Sequence, residues 1–327
     1  MKTLQRALPA VPRRVIGPAV CAAIGLAGIL GAGVAQPQPA AAATIEVGVY
    51  QDNPISGIPV VRAKVGQRAA RVISTYVTGG QVVSPQIVAL AARTKARLLV
   101  TWLPDGGRDG ANQKRYRLAV IRRGGQDAGL KRLVAQLRTL RPTPILRPMP
   151  EPNTPWYAWS GTANGNLPTA YAQAWKRVRK VVRAAGGKRI RLLWAPYARS
   201  VPATPENAIS VYFPGADQVD LVGVSGYNFG ASEGLAWTEP DPLFEDAYRQ
   251  ISALSPKPFW IAETGSTAIG GSREKWIGQL AGLGTTIPNL AGIVWFDVRD
   301  RNGDFRISTS TSSRKAFSSF LGRVKAR

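Results

Sequence analysis

Residues 144–159 read Pro144-Ile145-Leu146-Arg147-Pro148-Met149-Pro150-Glu151-Pro152-Asn153-Thr154-Pro155-Trp156-Tyr157-Ala158-Trp159. The aliphatic pair Ile145-Leu146 reads as the middle of a short buried strand. Pro148, Pro150 and Pro152 have no amide to donate to a sheet ladder, so pairing has to stop there. Glu151 precedes a proline, which restricts its backbone and predicts an extended conformation. A lone carboxylate is thus held stiffly beyond a strand end, with two tryptophans within the next eight residues. An acid placed beside flat aromatic rings suits work on a sugar, provided the chain supplies a partner for it.

Working outward, short apolar runs alternate with amphipathic ones. Strands are expected at 45–50, 71–77, 97–103, 143–148, 190–196, 219–227, 258–262 and 290–296. Ser84-Pro85 opens a helix running to about Thr94, and Asp127 is expected to cap one carrying Leu130, Leu133, Val134 and Leu137 at helical spacing. Further helices are expected at 169–184, 241–254, 272–283 and 312–324, with only a short helix after Val201. Strands buried on both faces and separated by helices imply a parallel sheet. Eight such units suggest one closed (β/α)8 TIM barrel. An open doubly wound sheet is the alternative, but no Gly-x-Gly-x-x-Gly follows the first strand to mark a nucleotide cleft. The longest connection, Gly106 to Gly125, follows the third strand.

Residues 1–43 are expected to lie outside this domain, which would then span 44–327. Lys2, Arg6, Arg13 and Arg14 precede an apolar run from Val15 to Val34, and Ala41-Ala42-Ala43 supplies the small residues of a cleavage site. The pattern predicts a signal peptide and a secreted protein with no stable membrane anchor. The Arg13-Arg14 pair leaves Sec and twin-arginine export both open.

Four of the 43 lysines and arginines and none of the 19 acids fall in the leader, so the remainder carries 39 against 19, a net of +20. Such a charge speaks to partners and solubility. Secretion makes nucleic acid a poor partner, and anionic cell-wall polymers fit better. The single cysteine, Cys21, lies in the leader, and histidine is absent. Ser-His-Asp and Cys-His nucleophile systems and the common zinc sites are therefore excluded. No cofactor and no metal is expected, and proton transfer near neutral pH is left to carboxylates, aided by Tyr or Lys.

In a barrel the chemistry collects at the carboxyl ends of the strands. Asp52, Asp105, Glu151, Glu263 and Asp297 fall there. Glu263 ends the hydrophobic strand Phe259-Trp260-Ile261-Ala262 and is followed by Thr264-Gly265-Ser266, which leaves it rigid yet accessible. A structural ion pair with an arginine is its ordinary alternative role. Strands four and seven of a closed ring are not neighbours, so Glu151 and Glu263 would face one another across the mouth. Glycosidic cleavage needs such a pair, one protonating the leaving oxygen while the other attacks the anomeric carbon or activates water. Arg147 and Tyr227 are expected to help hold Glu263 ionised. Trp102, Trp156, Trp159, Trp194, Tyr227 and Trp295 also fall at or just past strand ends. Trp102 and Trp194 suit a core role equally well, whereas Trp156 and Trp159, in a polar loop, suit ligand contact.

At these residues the chain resembles glycoside hydrolase family 26, the group best known for β-mannanases. The resemblance is carried in order by Val100-Thr101-Trp102-Leu103-Pro104, by Ile121 to Leu137, by the Arg147–Asn153 segment with Trp156 and Trp159, and by Tyr212-Phe213-Pro214-Gly215 through Tyr227-Asn228. It continues through Ile261-Ala262-Glu263-Thr264-Gly265, Val294-Trp295-Phe296-Asp297 and Asp304-Phe305-Arg306-Ile307. It implies a (β/α)8 barrel and a secreted endo-acting hydrolase of a β-linked polysaccharide (β-mannan, or a related β-glucan or xylan), with retention of configuration. It assigns the acid/base to Glu151 and the nucleophile to Glu263. Substrate contacts are expected from Trp102, Arg147, Asn153, Trp156, Trp159, Tyr227 and Trp295, with Tyr227 touching the nucleophile and Trp295 flooring the glycone side. One departure stands out: Pro150 occupies the place directly before the acid/base glutamate where the family usually has histidine. A non-catalytic cationic barrel that binds cell-wall polysaccharide is the alternative reading, and a monomer is expected in either case.

Overall fold

The structure, a computed structural model, describes residues 44–107, 110–231 and 235–326, so the expected leader lies outside the described residues. Eight strands form one parallel ring: β1 (Thr44–Tyr50), β2 (Val72–Thr78), β3 (Arg97–Leu103), β4 (Ile145–Pro148), β5 (Arg191–Trp194), β6 (Leu221–Asn228), β7 (Phe259–Ser266) and β8 (Leu290–Phe296). Each pairs with the next, and β1 closes on β8 with Glu46 opposite Gly292 and Tyr50 opposite Phe296. The closed barrel, and not the open sheet, is the fold. Two short elements lie outside the ring: a hairpin of β9 (Arg299–Asp300) and β10 (Gly303–Asp304), and β11 (Lys325–Ala326) beside the start of β1.

The helices are α1 (Pro54–Lys64), α2 (Pro85–Thr94), α3 (Leu118–Arg122), α4 (Asp127–Leu137), α5 (Ala170–Ala184), α6 (Pro240–Leu254), α7 (Arg273–Gln279), α8 (Leu283–Thr286) and α9 (Thr311–Arg323). Helix α1 escapes a periodicity search because Gly57, Pro59 and the β-branched Val60-Val61 interrupt it. Its start is nonetheless written locally, with Asn53 accepting from the Ser56 amide at 3.4 Å and Pro54 in the first turn. Asp127 does not cap α4; it sits in the first turn and its carboxylate takes the guanidinium of Arg177, tying α4 to α5. After Val201 the chain forms three short 3-10 turns between Pro205 and Gln218.

Side-chain alternation along the strands separates two layers. Val72, Leu99, Ile145, Leu193, Leu221, Trp260 and Val294 fill the inside of the ring, while their odd-step neighbours pack against the helices. Trp260 is the largest interior side chain, and it fits because Gly292 faces it. A methyl group on Gly292 would lie 2.4 Å from the indole ring. Tryptophan and glycine thus share one layer of the barrel. Replacing Trp260 with alanine is expected to cost about 3–5 kcal/mol, read as a lowered urea midpoint with an unchanged m-value. A loss below about 1 kcal/mol would show that this layer does not hold the ring together.

Candidate active site at the barrel mouth

The last ladder pair of β4 sets Pro148 against Trp102, and the chain then turns sharply. Met149 and Glu151 have positive φ, at 48° and 53°. The expectation of an extended Glu151 is therefore corrected: both residues that precede prolines here take the left-handed region instead. L-residues are held there at a cost of about 1–3 kcal/mol each, and the surroundings supply the compensation. The Met149 amide donates to Trp102 O and the Glu151 amide to Ala195 O, both at 3.0 Å. Met149 O accepts from the Tyr171 hydroxyl at 2.8 Å, Pro150 O from Trp159 Nε1 at 2.8 Å, and Glu151 O from the Thr154 hydroxyl at 2.7 Å. Pro152 O accepts from the Gly161 amide at 2.9 Å. Every carbonyl from Met149 to Pro152 is pinned, so the strained turn aims Glu151 over the end of the ring.

Glu263 reaches the same place by a different device. Strand β7 runs on to Ser266, beyond its predicted end. Its register against β6 shifts, with Val224 opposite Ile261 but Ser225 opposite Glu263, and it shifts against β8 as well. Ala262 is the extra residue of a β-bulge. Ile261 packs on the helix side and Ala262 inside the ring. Strict alternation would send Glu263 outward with Ile261, and the bulge turns it inward.

Arg147, buried on β4, joins the two acids. Its Nη1 donates to Glu263 at 2.7 Å, and its Nη2 lies 3.4 Å from Glu151 and also donates to Ser225. Two carboxylates held on the two arms of one guanidinium share a single small space, and neither points away from the mouth. Glu263 also accepts from the hydroxyls of Tyr76 and Tyr227. Burial, and then the charge of Glu263, push both tyrosines well above their ordinary pKa, so they remain donors. Glu151 has a lighter set of bonds, the long contact to Arg147 and one from Trp156 Nε1 at 3.1 Å. Burial first and the neighbouring Glu263 second raise its pKa above the usual carboxylate range, against the pull of Arg147. The acids therefore differ: one is ringed by donors, while the other is disposed to hold a proton.

The cleft around them is lined by Tyr50, Tyr76, Trp156, Tyr197, Tyr227 and Phe296, with Tyr157, Phe229, Phe305, Asp52, Asp300 and Asn302 farther along its walls. Tyr50 stacks on Phe296 with ring centres 5.1 Å apart, and Trp156 meets the edge of Tyr197 at 5.5 Å. Of the residues expected to contact substrate, Trp156 and Tyr227 line the cleft, and Arg147 sits beneath it. Four expectations are corrected. Trp102 and Trp295 are fully buried and point to the helix layer, where their indoles donate to Gly79 O and Phe305 O, both within 3 Å at 2.9 and 2.8 Å. Trp159 is fully buried, stacked on Tyr157 and committed to Pro150 O. Asn153 is fully buried as well, clamping the Tyr197 backbone by two bonds of 2.8 and 2.9 Å.

The errors at Trp102 and Trp295 have one cause. Leu99 and Val294 face inward, so the residue three positions after the first and one after the second face outward; Phe296 takes the place expected of Trp295. The same count would have found Tyr50 and Tyr76, which sequence reasoning missed. Among the other acids, Asp52 lines the cleft. Asp105 accepts from the Gly107 amide, and Asp297 accepts from Gln51 and the Ile307 amide, so both brace loops. Among the described residues no group of three or more His, Cys, Asp or Glu is placed to hold a metal ion.

Because the folded state raises the pKa of Glu151, its contribution to stability is complete below the ordinary carboxylate range and is lost as pH rises through the raised value. The Glu151→Gln variant lacks this loss. Its stability relative to wild type is therefore expected to climb between pH 4 and pH 7, measured by urea unfolding at each pH. A difference that stays flat across that range would refute the burial and like-charge origin of the shift.

Comparison with known proteins agrees with this architecture. The sequence model of Glycosyl hydrolase family 26 matches residues 127–264, a span that contains both Glu151 and Glu263. Endoglucanase H of Acetivibrio thermocellus is 27% identical over 232 residues, covering 69% of this chain but only 24% of that protein, so the chain spans about a quarter of its relative's length. A family 26 β-mannanase from Bacteroides ovatus superposes with a TM-score of 0.64 at 18% identity over 86% of this chain and 87% of the other. The family 26 domain of an endo-β-mannanase/endo-β-glucanase from Prevotella bryantii gives 0.59 at 13% identity, over 85% and 88% of the two chains. At these identities the superpositions speak for the fold alone, and the sequence matches mark a similarity confined to part of the chain. The chain is thus similar to glycosyl hydrolase family 26 across the segment that carries both acids, and it is built on a (β/α)8 barrel.

Proposed function

We propose that the protein is a secreted, retaining endo-β-glycosidase that cleaves a β-linked polysaccharide, either β-mannan or a related β-glucan or xylan. The observation that carries this reading is the pair of carboxylates on one buried guanidinium at the floor of an aromatic cleft. Glu263, supplied with three donors, acts as the nucleophile. Glu151, with its raised pKa, is the acid that protonates the leaving oxygen as the anomeric carbon bonds to Glu263. Esterification removes the charge of Glu263. The second of the two influences that keep the proton on Glu151 then disappears, and Glu151 is free to accept a proton from the incoming water. The hydroxyls of Tyr76 and Tyr227 hold the nucleophile's oxygens in place through this cycle. Trp156 and Tyr197 flank the acid on one wall, and the Tyr50–Phe296 stack offers a flat apolar surface to a sugar ring on the other. The named activities of the Acetivibrio, Bacteroides and Prevotella relatives, on glucan and mannan, support this substrate class.

Reducing-end release from β-mannan, mixed-linkage β-glucan and xylan tests the proposal. Wild-type protein is expected to cleave at least one of them, and Glu151→Ala to slow that cleavage by about 10²–10⁴-fold. Proton NMR of the first product should show the anomeric configuration of the substrate; an inverted product would overturn the double-displacement assignment. A wild type that cleaves none of the three polymers, yet binds one as well as Glu263→Ala does, would make the barrel a binding protein instead. Arg147→Met is expected to destabilise the fold by about 3–5 kcal/mol, because it leaves two buried carboxylates without their cation. Thermal unfolding at neutral pH measures that loss.

A further inference from the structure

The excess of positive charge is not spread evenly over the chain. Between Gln113 and Ile190 there are seventeen lysines and arginines and only two acids, Asp127 and Glu151. One of those acids lies in the cleft. The other is taken by Arg177 from α5, and Arg183 of the same helix takes Asp220 at 2.6 Å. The fold brings this segment together on one flank of the barrel, since α3 and α4 both pack on α5. Arg122, Arg123, Lys131, Arg132, Lys176 and Lys180 are all exposed there. Two of them are fixed by neutral acceptors that leave their charge uncancelled: Arg122 donates to Gln173 at 2.6 Å and Arg132 to Gly80 O at 3.2 Å. Helix α5 shows the same division of labour, with Tyr171, Trp175, Val178 and Val182 buried and its cations turned away from the core.

A single-sign surface of this density weakens the fold by self-repulsion and contributes nothing to packing. It suits a long polyanion whose charges repeat along its length. We propose that the α3–α4–α5 flank is a docking surface for a carboxylated polysaccharide, holding the enzyme on an anionic matrix while the cleft works on a neutral chain. A polysaccharide fits better than nucleic acid. Binding of unpaired bases relies on exposed aromatic platforms, and among the described residues the large apolar side chains that stand exposed are Ile55, Val60, Val82, Leu167 and Ile269, none of them aromatic. The work of the cleft on a neutral chain rests on the glycosidase reading above, whereas the docking surface rests on charge and exposure alone.

The test compares two triple variants of the full chain that change the net charge equally. Lys131→Glu/Lys176→Glu/Lys180→Glu alters the flank, and Lys64→Glu/Lys275→Glu/Lys315→Glu alters α1, α7 and α9. Affinity for polygalacturonate, for duplex DNA and for uncharged dextran is measured at about 50 and 200 mM salt, where counterion release is readily resolved. The flank variant is expected to bind polygalacturonate on the order of tenfold more weakly, with a shallower salt slope, while the control triple stays within about twofold of wild type. A glutamine version of the flank triple, together with circular dichroism of all variants, separates loss of charge from loss of fold. Equal weakening in both triples would reduce the effect to net charge and overturn a localised site. Tighter binding to DNA than to polygalacturonate at equal salt would overturn the assignment of a polysaccharide, and so would an absence of polygalacturonate binding by wild-type protein.

Discussion

Arg147 is the constraint around which the mouth of the barrel is arranged. A guanidinium buried this deeply would ordinarily be costly. Burial alone would weaken its hold on the proton, but Glu263 and then Glu151 reverse that effect, so it remains charged. The two carboxylates offset the cost of burying Arg147, and Arg147 in turn offsets part of the cost of burying each of them. Strand β4 therefore has to present Arg147 inward, β7 has to turn Glu263 inward, and the loop after β4 has to bring Glu151 back over the same point. The strained turn and the bulge are the two backbone departures that satisfy this requirement.

Those departures rest in turn on residues that never face the cleft. Trp159 and Tyr171 hold the carbonyls of Pro150 and Met149, and Trp102 O takes the Met149 amide. Asn153 clamps the backbone of Tyr197, which stands against Trp156, the indole that donates to Glu151. Large aromatic side chains near the site thus fall into two groups. Those that face the cleft make its wall, and those buried behind it brace the loops that shape it.

The absence of histidine gives this site its chemical character. Donors to the buried carboxylates come from tyrosine hydroxyls, an indole and a guanidinium, none of which changes charge between pH 5 and pH 8. Within the cluster, Glu151, its pKa raised by burial and by the charge of Glu263, is left to respond to pH. Tyr197, on a wall of the cleft beside Glu151, is itself driven upward by burial and by the Glu151 charge, so it stays a neutral hydroxyl. Pro150 offers no side-chain donor, and its carbonyl serves to anchor the turn.

Much of this was legible in the chain before any coordinates. The rhythm of eight apolar runs separated by amphipathic ones gave the closed barrel, and β3 and β8 fell on the residues expected of them. The clustering of prolines around Glu151 and the small residues after Glu263 marked both acids, because local backbone chemistry dictates where a strand can end. What sequence left open was direction. A strand side chain faces the ring or the helices according to a parity that only the neighbouring strands define. Trp102 and Trp295 were therefore placed on the wrong face, and Tyr50, Tyr76 and Phe296 went unnoticed. The bulge at Ala262 and the positive φ of Glu151 likewise depend on bonds to residues tens of positions away. Composition and local order determined which acids stand at the rim; the closure of the ring decided which way they and their neighbours point, since inward and outward have no meaning until the last strand meets the first.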